Sequence, residues 1–352
     1  MKHQKLLRQP PSHAALPRRS AVRALLACGL SGLGAAPFAH AQSTQAASGA
    51  PAAFAPTRAP VIVVPFPPGG GTDALARIVS ERLSLIWKTQ VVVENRAGAQ
   101  GNLGSAHASK SPPDGHTLLL AHQGVFTVNP HLYKDAPFDP LKDFKVVTRG
   151  TQQPFVLVAH PAQPYSSLRE LIEQAKVQPG KLSYGSSASG PQLAGELLKT
   201  HAGIDMLHVA YKGAGPAVID VLAGHIPLLV ANPTSVAPHV RSGKLKGIVL
   251  FGNEALDTVL PGVPTASQAG HPALGEMPEW YGFAVAAATP DGLVAQLNRD
   301  LVAVLADAGV QAKIRALGLV PSSSTPGEFA QQIQRDHQSA GRLVKLAGIE
   351  KQ

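Results

Sequence analysis

The chemistry on offer in this chain sits in a run without acids or bases until its last residue: Pro65-Phe66-Pro67-Pro68-Gly69-Gly70-Gly71-Thr72-Asp73. Glycines let a backbone approach a bound group closely, and prolines remove N–H donors from the turn around it. If the loop opens a helix, the first N–H groups and the helix dipole point at whatever sits there, so the segment can hold an anion without a cationic side chain. A tight strand-to-helix connection without ligand is the plainer alternative. The run is not a P-loop, since no Lys-Ser/Thr follows the glycines, and it lacks the G-x-G-x-x-G spacing of a dinucleotide fingerprint.

Such a loop needs a strand before it and a helix after it. Val61-Ile62-Val63-Val64 is apolar, β-branched and too short for a helix, so it is expected as a buried strand. Ala74, Leu75, Ile78, Val79, Leu83 and Ile86 recur at helical spacing up to Trp87. Thr72 or Asp73 is in place to cap this helix. Asp73 is thus either a cap or a residue that fixes the loop around a ligand.

Length and charge limit the remaining classes. The 352 residues suffice for two domains. The formal charge is +9, but six cations (Lys2, Lys5, Arg8, Arg18, Arg19 and Arg23) precede Ala24, and without them +3 remains. The basic residues are scattered and not interleaved with aromatics, so no nucleic-acid footprint is expected. The basic start, the small apolar stretch Ala24 to Ala36 and Ala39-His40-Ala41 read as an export signal over residues 1–41, with the mature chain starting near Gln42. Arg18-Arg19-Ser20 leaves twin-arginine export open. Leu25-Leu26-Ala27-Cys28 leaves lipidation of the sole cysteine open. Residues 42–59, rich in Ala, Ser and Pro, are expected as a disordered lead-in.

Further strands are expected at Gln90–Val93, His116–Ala121, Phe144–Arg149, Phe155–His160, Leu182–Gly185, His208–Tyr211, Ile226–Ala231, Lys244–Phe251 and Tyr281–Ala287. Helices are expected at Leu103–Ser109, from the capping box Ser166 to Glu170 to about Val177, at Pro191–Ala202 and Pro216–Ala223, and over most of the chain after Pro290. Pro261 to Ala269 reads as a loop with a short helix. Alternating strands and helices with short loops imply right-handed βαβ units, with ligands beyond the carboxyl ends of the strands. Pro65–Asp73 and Ala121–Phe126 share that edge. Ser186-Ser187-Ala188-Ser189-Gly190 repeats the strand, small-residue loop and helix design. Residues 60–154 and 282–352 are expected as one lobe and 155–281 as the other. The crossings lie near Gln152–Val156 and Glu279–Phe283, and a cleft between the lobes suits a small anion.

At this point the chain resembles the substrate-binding proteins of the tripartite tricarboxylate transporters, the Bug family. The resemblance is carried by Pro65 to Asp73, by Val93-Glu94-Asn95-Arg96-Ala97-Gly98-Ala99, by Pro113-Asp114-Gly115-His116-Thr117-Leu118-Leu119 and by Tyr211-Lys212-Gly213. Pro179 to Leu182, Tyr184 to Ser187, Pro264-Thr265 and Ala269-Gly270 add to it, in collinear order from Pro60 to Lys351. It implies an α/β, two-lobed type II periplasmic-binding-protein fold, each lobe a mainly parallel sheet flanked by helices, and a monomer that closes like a flytrap. It also implies a periplasmic receptor that holds a carboxylate through backbone N–H groups and hydroxyls and delivers it to a small and a large membrane subunit.

Carried over by position, the first-lobe contacts are Phe66, Pro68, Gly70, Gly71, Thr72 and Asp73, with Gln123 from the loop after the third strand. The second-lobe contacts are Ser186, Ser187, Ser189 and Gly190, with Tyr211, Lys212 and Gly213 nearby. Lys212 is expected at the cleft rim. Tyr211 is either a contact or core, and the serines are either ligands or turn residues. The chain departs from the family at Ala231, where an aspartate is usual, at Ala188-Ser189, Gln192 and His116, and over Ala121-His122-Gln123-Gly124. The missing aspartate argues against an amino-acid ligand.

No cofactor or metal is expected. A hydrolase would need G-x-S-x-G, which Gly185 to Gly190 does not provide, and His208 as a base has no evident acidic orienter. Zinc would want closely spaced ligands, whereas His116, His122, His201 and His208 are isolated. A receptor that presents its ligand to a signalling partner is the alternative to transport.

Overall fold

The computed structural model describes residues 54–252, 255–275 and 279–351. The expected export signal, its cleavage site, Cys28 and most of the lead-in lie outside the described residues.

The chain opens with β1 (Val61–Val64), α1 (Gly71–Trp87), β2 (Val92–Asn95), α2 (Asn102–Ser109) and β3 (Thr117–His122). A π-helical turn, Gly124–Val128, runs into α3 (Asn129–Leu132), and β4 (Phe144–Gln153) follows. After Pro154 come β5 (Phe155–Ala159), α4 (Leu168–Val177), β6 (Leu182–Ser186), α5 (Ser189–Ala202), β7 (Met206–Ala210) and α6 (Ala214–Leu222). Then come β8 (Leu228–Ala231), α7 (Pro233–Arg241) and β9 (Lys246–Phe251). The chain returns through β10 (Glu279–Ala286), α8 (Asp291–Ala306), α9 (Ala308–Ala316), β11 (Val320–Pro321) and α10 (Pro326–Leu346).

Among the described residues the strands form two sheets, ordered β11-β4-β10-β3-β1-β2 and β7-β6-β8-β5-β9. Each is mixed rather than mainly parallel. β1 runs parallel to β2 and β3, and β6 runs parallel to β7 and β8, as βαβ units demand. The strands next to the crossings run the other way: β10 is antiparallel to β3 and β4, and β5 is antiparallel to β8 and β9. A chain that leaves one sheet along β4 and comes back along β10 must lay the two side by side in opposite directions.

Alternation along the strands sorts the core. Ile62 and Val64 face Leu75, Val79 and Leu83 of α1 and Leu297 and Leu301 of α8, while Val63 faces Phe126, Trp280, Phe329 and Ile333. In the second sheet Phe155 and Leu157 pack with Tyr184, Leu193 and Leu197, and Val156 and Val158 pack with Ala217, Val221 and Val236. α10 serves both sheets. Phe329 and Ile333 belong to the first core, whereas Ala340, Leu343 and Val344 pack into the second together with Val128 and Leu132.

Local chemistry shifts some expected boundaries. α1 starts at Gly71, before either proposed cap, because Gly70 takes the extended cap conformation and its carbonyl accepts the Ala74 N–H at 3.0 Å. Ser167 and Glu170 form the expected capping box of α4, an arrangement worth about 1 kcal/mol. α7 was not expected, since Pro238 sits inside it and an internal proline obscures a helical pattern. The segment from Pro261 to Ala269 carries no helix, and the single short 3-10 turn there, Pro272–Gly275, comes after it.

Candidate functional site

The loop from Pro65 to Gly70 is held by Asp73. The buried carboxylate accepts the Gly69 N–H at 3.0 Å and Arg77 Nε at 3.0 Å on Oδ2, and Asn95 Nδ2 at 3.1 Å on Oδ1. Asn95 also donates to the Phe66 carbonyl at 3.1 Å. Burial pushes the Asp73 carboxyl up, but Arg77, the Gly69 N–H and Asn95 together hold it below the ordinary carboxylate range. Its oxygens are therefore spent on the loop, and Asp73 shapes the site from behind.

In front of this loop lies a cleft with two chambers. The outer one, about 770 Å³, runs between Phe66, Pro67, the loop at residues 97–101 and Tyr133 on one side and Ser187, Ala210, Tyr211 and Lys212 on the other. The inner one, about 90 Å³, is walled by Phe66 to Pro68, Gly70 to Thr72 and His122, and across from them by Ser187, Ala188, Gly213 to Pro216 and Asn232. The two sides meet at Gly213, where a Cβ would stand 3.1 Å from Pro67 Cγ.

The electrostatics of the inner chamber come from the backbone. The N-terminal ends of α1, α5, α6 and α7 border it through Gly70 and Gly71, Ala188, Gly213 and Ala214, and Asn232. None of these ends carries a side-chain cap. By contrast α4, α9 and α10 are capped by Ser167, Asp307 and Thr325. Each helix start carries roughly half a positive charge, so several aimed at one small volume favour a negative group there. A further apolar cavity of about 370 Å³ lies between β4, α8 and α10. The helix ends beside it already carry acids, Asp291 and Glu328, so it offers an anion much less.

In the outer chamber Gly98, Ala99, Gln100 and Gly101 all have positive φ, from 46° to 142°. For Ala99 and Gln100 that conformation costs about 1–2 kcal/mol each. Asn129 holds this loop, donating to the Gln100 carbonyl at 3.1 Å and to Asn102 Oδ1 at 2.7 Å. Lys212 is exposed and reaches the same chamber.

The expected contacts divide. Phe66, Pro68, Gly70, Gly71, Thr72, Ser187, Tyr211, Lys212 and Gly213 all line the cleft. Tyr211 does so with its hydroxyl bound to Asp220 at 2.7 Å, and burial and Asp220 push it up to about 12. Ser186, Ser189, Gly190 and Gln123 are buried away from the chamber walls. Ser186 Oγ is 2.8 Å from His208 Nε2, and Ser189 donates to Asn129 Oδ1. A Cβ on Gly190 would meet Phe155 Cζ at 2.8 Å and Gln123 Oε1 at 3.1 Å. The start of α5 is thus packed under the π-helical turn, and Gln123 spends its amide nitrogen on Thr127 at 2.9 Å.

Wall residues outside the expected set include His122 and Asn232 in the inner chamber and Tyr133 and the loop at residues 98–101 in the outer one. Asn232-Pro233, a cap residue followed by proline at the first helical position, was a readable sign of α7 and of the wall it brings.

A model of the tripartite tricarboxylate transporter family receptor matches residues 75–349. The chain belongs to this family. A relative within reach is BugT of Bordetella pertussis, 35% identical over 287 residues, which span 80% of this chain and 87% of BugT. A solved structure described as a periplasmic transporter is 38% identical, with a TM-score of 0.80 over 84% of this chain and 99% of that one. A Rhodopseudomonas palustris protein solved with adipate is 30% identical, with a TM-score of 0.81 over 84% of this chain and 99% of its own. Family receptors of this kind thus share the two-lobed α/β architecture built here around the cleft. Among the described residues no helix is long and apolar enough to cross a membrane, and no three His, Cys, Asp or Glu side chains gather as a metal site.

Proposed function

We propose that this chain is a periplasmic solute receptor that captures a small carboxylate in the inter-lobe cleft and hands it to the membrane subunits of a tripartite tricarboxylate-type transporter. The observation that carries the reading is the convergence of uncapped helix N-termini on the inner chamber. Adipate in the R. palustris relative supports the ligand class, and the family description supports the transporter partner. The lobes are taken as residues 60–154 with 279–352 and residues 155–278, the return moved from the expected 282 because β10, Glu279–Ala286, is a strand of the first sheet; the protein is taken as a monomer and residues 1–41 as its export signal.

In the cycle that follows from this reading, the carboxylate docks first against the start of α1 at Gly70 and Gly71. The Ser187 to Ala188 turn and the Gly213 to Pro216 turn then close on it. Closure needs a ligand that binds the closed state more tightly than the open one, and contacts from both sides of one small chamber provide that difference. The walls hold, orient and release, and no bond of the ligand is broken.

The test is a thermal-shift and calorimetric panel of mono-, di- and tricarboxylates on protein refolded free of bound solute. A ligand at a hundredfold excess over its Kd adds about 2.7 kcal/mol of stability. Binding of at least one acid, recovered unchanged, is the expected result. No binding across the panel, or chemical turnover of an acid, overturns the proposal.

A further inference from the structure

Behind the inner chamber lies a fully buried carboxylate, Glu279, at the first position of β10. Its surroundings follow from strand geometry. Residues two apart on a strand share a face, so Glu279 and Tyr281 point the same way. Glu279 pairs in register with Gln153 at the end of β4, and Tyr281 pairs with His122 at the end of β3. Gln153 Nε2 donates to Glu279 Oε2 at 3.4 Å, and His122 Nε2 lies 3.1 Å from Oε1.

The imidazole tautomer is set by the other ring nitrogen. His122 Nδ1 accepts the Gly124 N–H at 3.0 Å, so Nε2 carries the hydrogen and donates a hydrogen bond to Glu279 Oε1. The ring is clasped between Phe66 and Tyr281, with centroids at 4.7 and 5.4 Å.

The remaining partner comes from the other sheet. Asn232 follows β8 directly and stands at the N-cap position of α7 without a side-chain cap bond, which leaves its amide free for other partners. Carboxylate oxygens only accept, so the Asn232 amide nitrogen must face Glu279. So oriented it donates to both carboxylate oxygens, at 3.1 Å to Oε1, and its own oxygen accepts from the Tyr281 hydroxyl at 2.6 Å. Burial, together with Glu279, holds Tyr281 well above its ordinary range, so it remains a donor.

His122, at the end of β3, and Asn232, just after β8 of the other sheet, both line the inner chamber, and the same carboxylate oxygen binds both. We propose that Glu279 is the positioning residue of this chamber: it fixes Asn232 of the second lobe against His122 of the first and so makes the chamber's shape depend on lobe closure. That consequence rests on reading the inner chamber as the ligand site, but the grip itself does not. Opening the lobes at Asn232 takes one donor from a buried carboxylate that keeps Gln153 and His122, and that loss is a penalty a ligand must outweigh.

The experiment therefore uses no ligand. Hydrogen exchange is followed by NMR on the refolded, solute-free protein and its variants. Glu279→Gln turns an amide nitrogen toward donors that need an acceptor. It is expected to speed exchange at Gly124 and at residues 234–237 at least tenfold, while β1 and β5 amides stay within twofold. Adding Asn232→Asp to Glu279→Gln swaps donor and acceptor and is expected to return both segments to within threefold of the parent. Unchanged exchange at either segment overturns the proposal, as does equal acceleration of both sheets or a double variant no better than the single. Should Glu279→Gln not fold, Tyr281→Phe removes the hydroxyl that donates to the Asn232 oxygen at 2.6 Å and lies 3.3 Å from Glu279 Oε2. It is expected to speed residues 234–237 at least threefold, and no change there overturns the proposal equally. A chain that binds no acid but passes this test leaves the grip standing and sinks only the proposed ligand class.

Discussion

A Cβ added to Gly71 would stand 3.1 Å from the Tyr281 hydroxyl, and 3.2 Å from Thr234 Oγ1 on the other lobe. Gly70, one residue earlier, has nothing within 4 Å and an ordinary φ of −88°. Neighbouring glycines in one loop thus do different work. Gly71 lets the start of α1 approach Tyr281 and α7, while Gly70 keeps the chamber wall clear.

Substitution should separate these roles. Gly70→Val is expected to leave the melting temperature within about 2 °C of the parent and to weaken acid binding at least a hundredfold, because the new side chain has only the cleft to enter. Gly71→Ala is expected to lower both, since a neighbour must give way at 3.1 Å. Calorimetry alongside thermal melts reads both quantities. Unchanged affinity in Gly70→Val would remove this loop from the binding site.

Asp73→Asn should show how much the loop depends on its clamp. The Gly69 N–H and Arg77 lose a charged acceptor, and a charge-assisted hydrogen bond is worth about 1.5–3 kcal/mol; Arg77 is more than half exposed, so the lower end is expected. The folded carboxyl sits below its unfolded value. Its contribution is therefore complete above the unfolded value, about pH 4, and fades as pH falls through the folded value. Urea melts of parent and variant should differ at pH 7 and converge as pH falls through the lowered folded value. A gap of equal size at both ends of that range would show that the clamp is not electrostatic.

Much of this was legible from residue types. The β-branched run at Val61 and the glycines after Pro68 specify a strand, a turn and a helix locally, and all three appear. The serine loop at Ser186 to Gly190 was legible as a turn into a helix, but not which of its serines face the cleft. That depends on the π-helical turn at Gly124 and on Asn129 just after it, which cover Ser189 and Gly190 from 60 or more residues earlier in the chain. His122, Asn232 and Glu279 carry no mutual spacing signal, since strand pairing and the return of β10 alone bring them together.

Two histidines give a pH dependence with one sign. Burial, and His337 beside it, depress His131, and burial depresses His208. A histidine held below its unfolded value near 6.5 favours the neutral form in the folded chain. Its contribution is complete above that value and is lost as pH falls below it. Melting temperature is thus expected to drop between pH 7.5 and 5.5. His208→Gln, which keeps a polar partner for Ser186, should flatten part of the drop. A variant whose melting curve falls as steeply as the parent's removes His208 from the account.

Lys212 distinguishes the two chambers. It borders the outer one only, while helix starts border the inner. An acid with one carboxylate, held in the inner chamber, should be nearly indifferent to Lys212→Met, with Kd within threefold. A longer acid with a second carboxylate in the outer chamber should lose about fivefold, the ~1 kcal/mol at the upper end for one exposed charge pair. Raising salt from 0.05 to 0.5 M should weaken the dianion in the parent and less so in the variant, because exposed charges are screened over about 10 Å at 0.1 M salt. Equal losses for both acids would place the lysine at the inner group instead, and no loss for either would leave it in solvent.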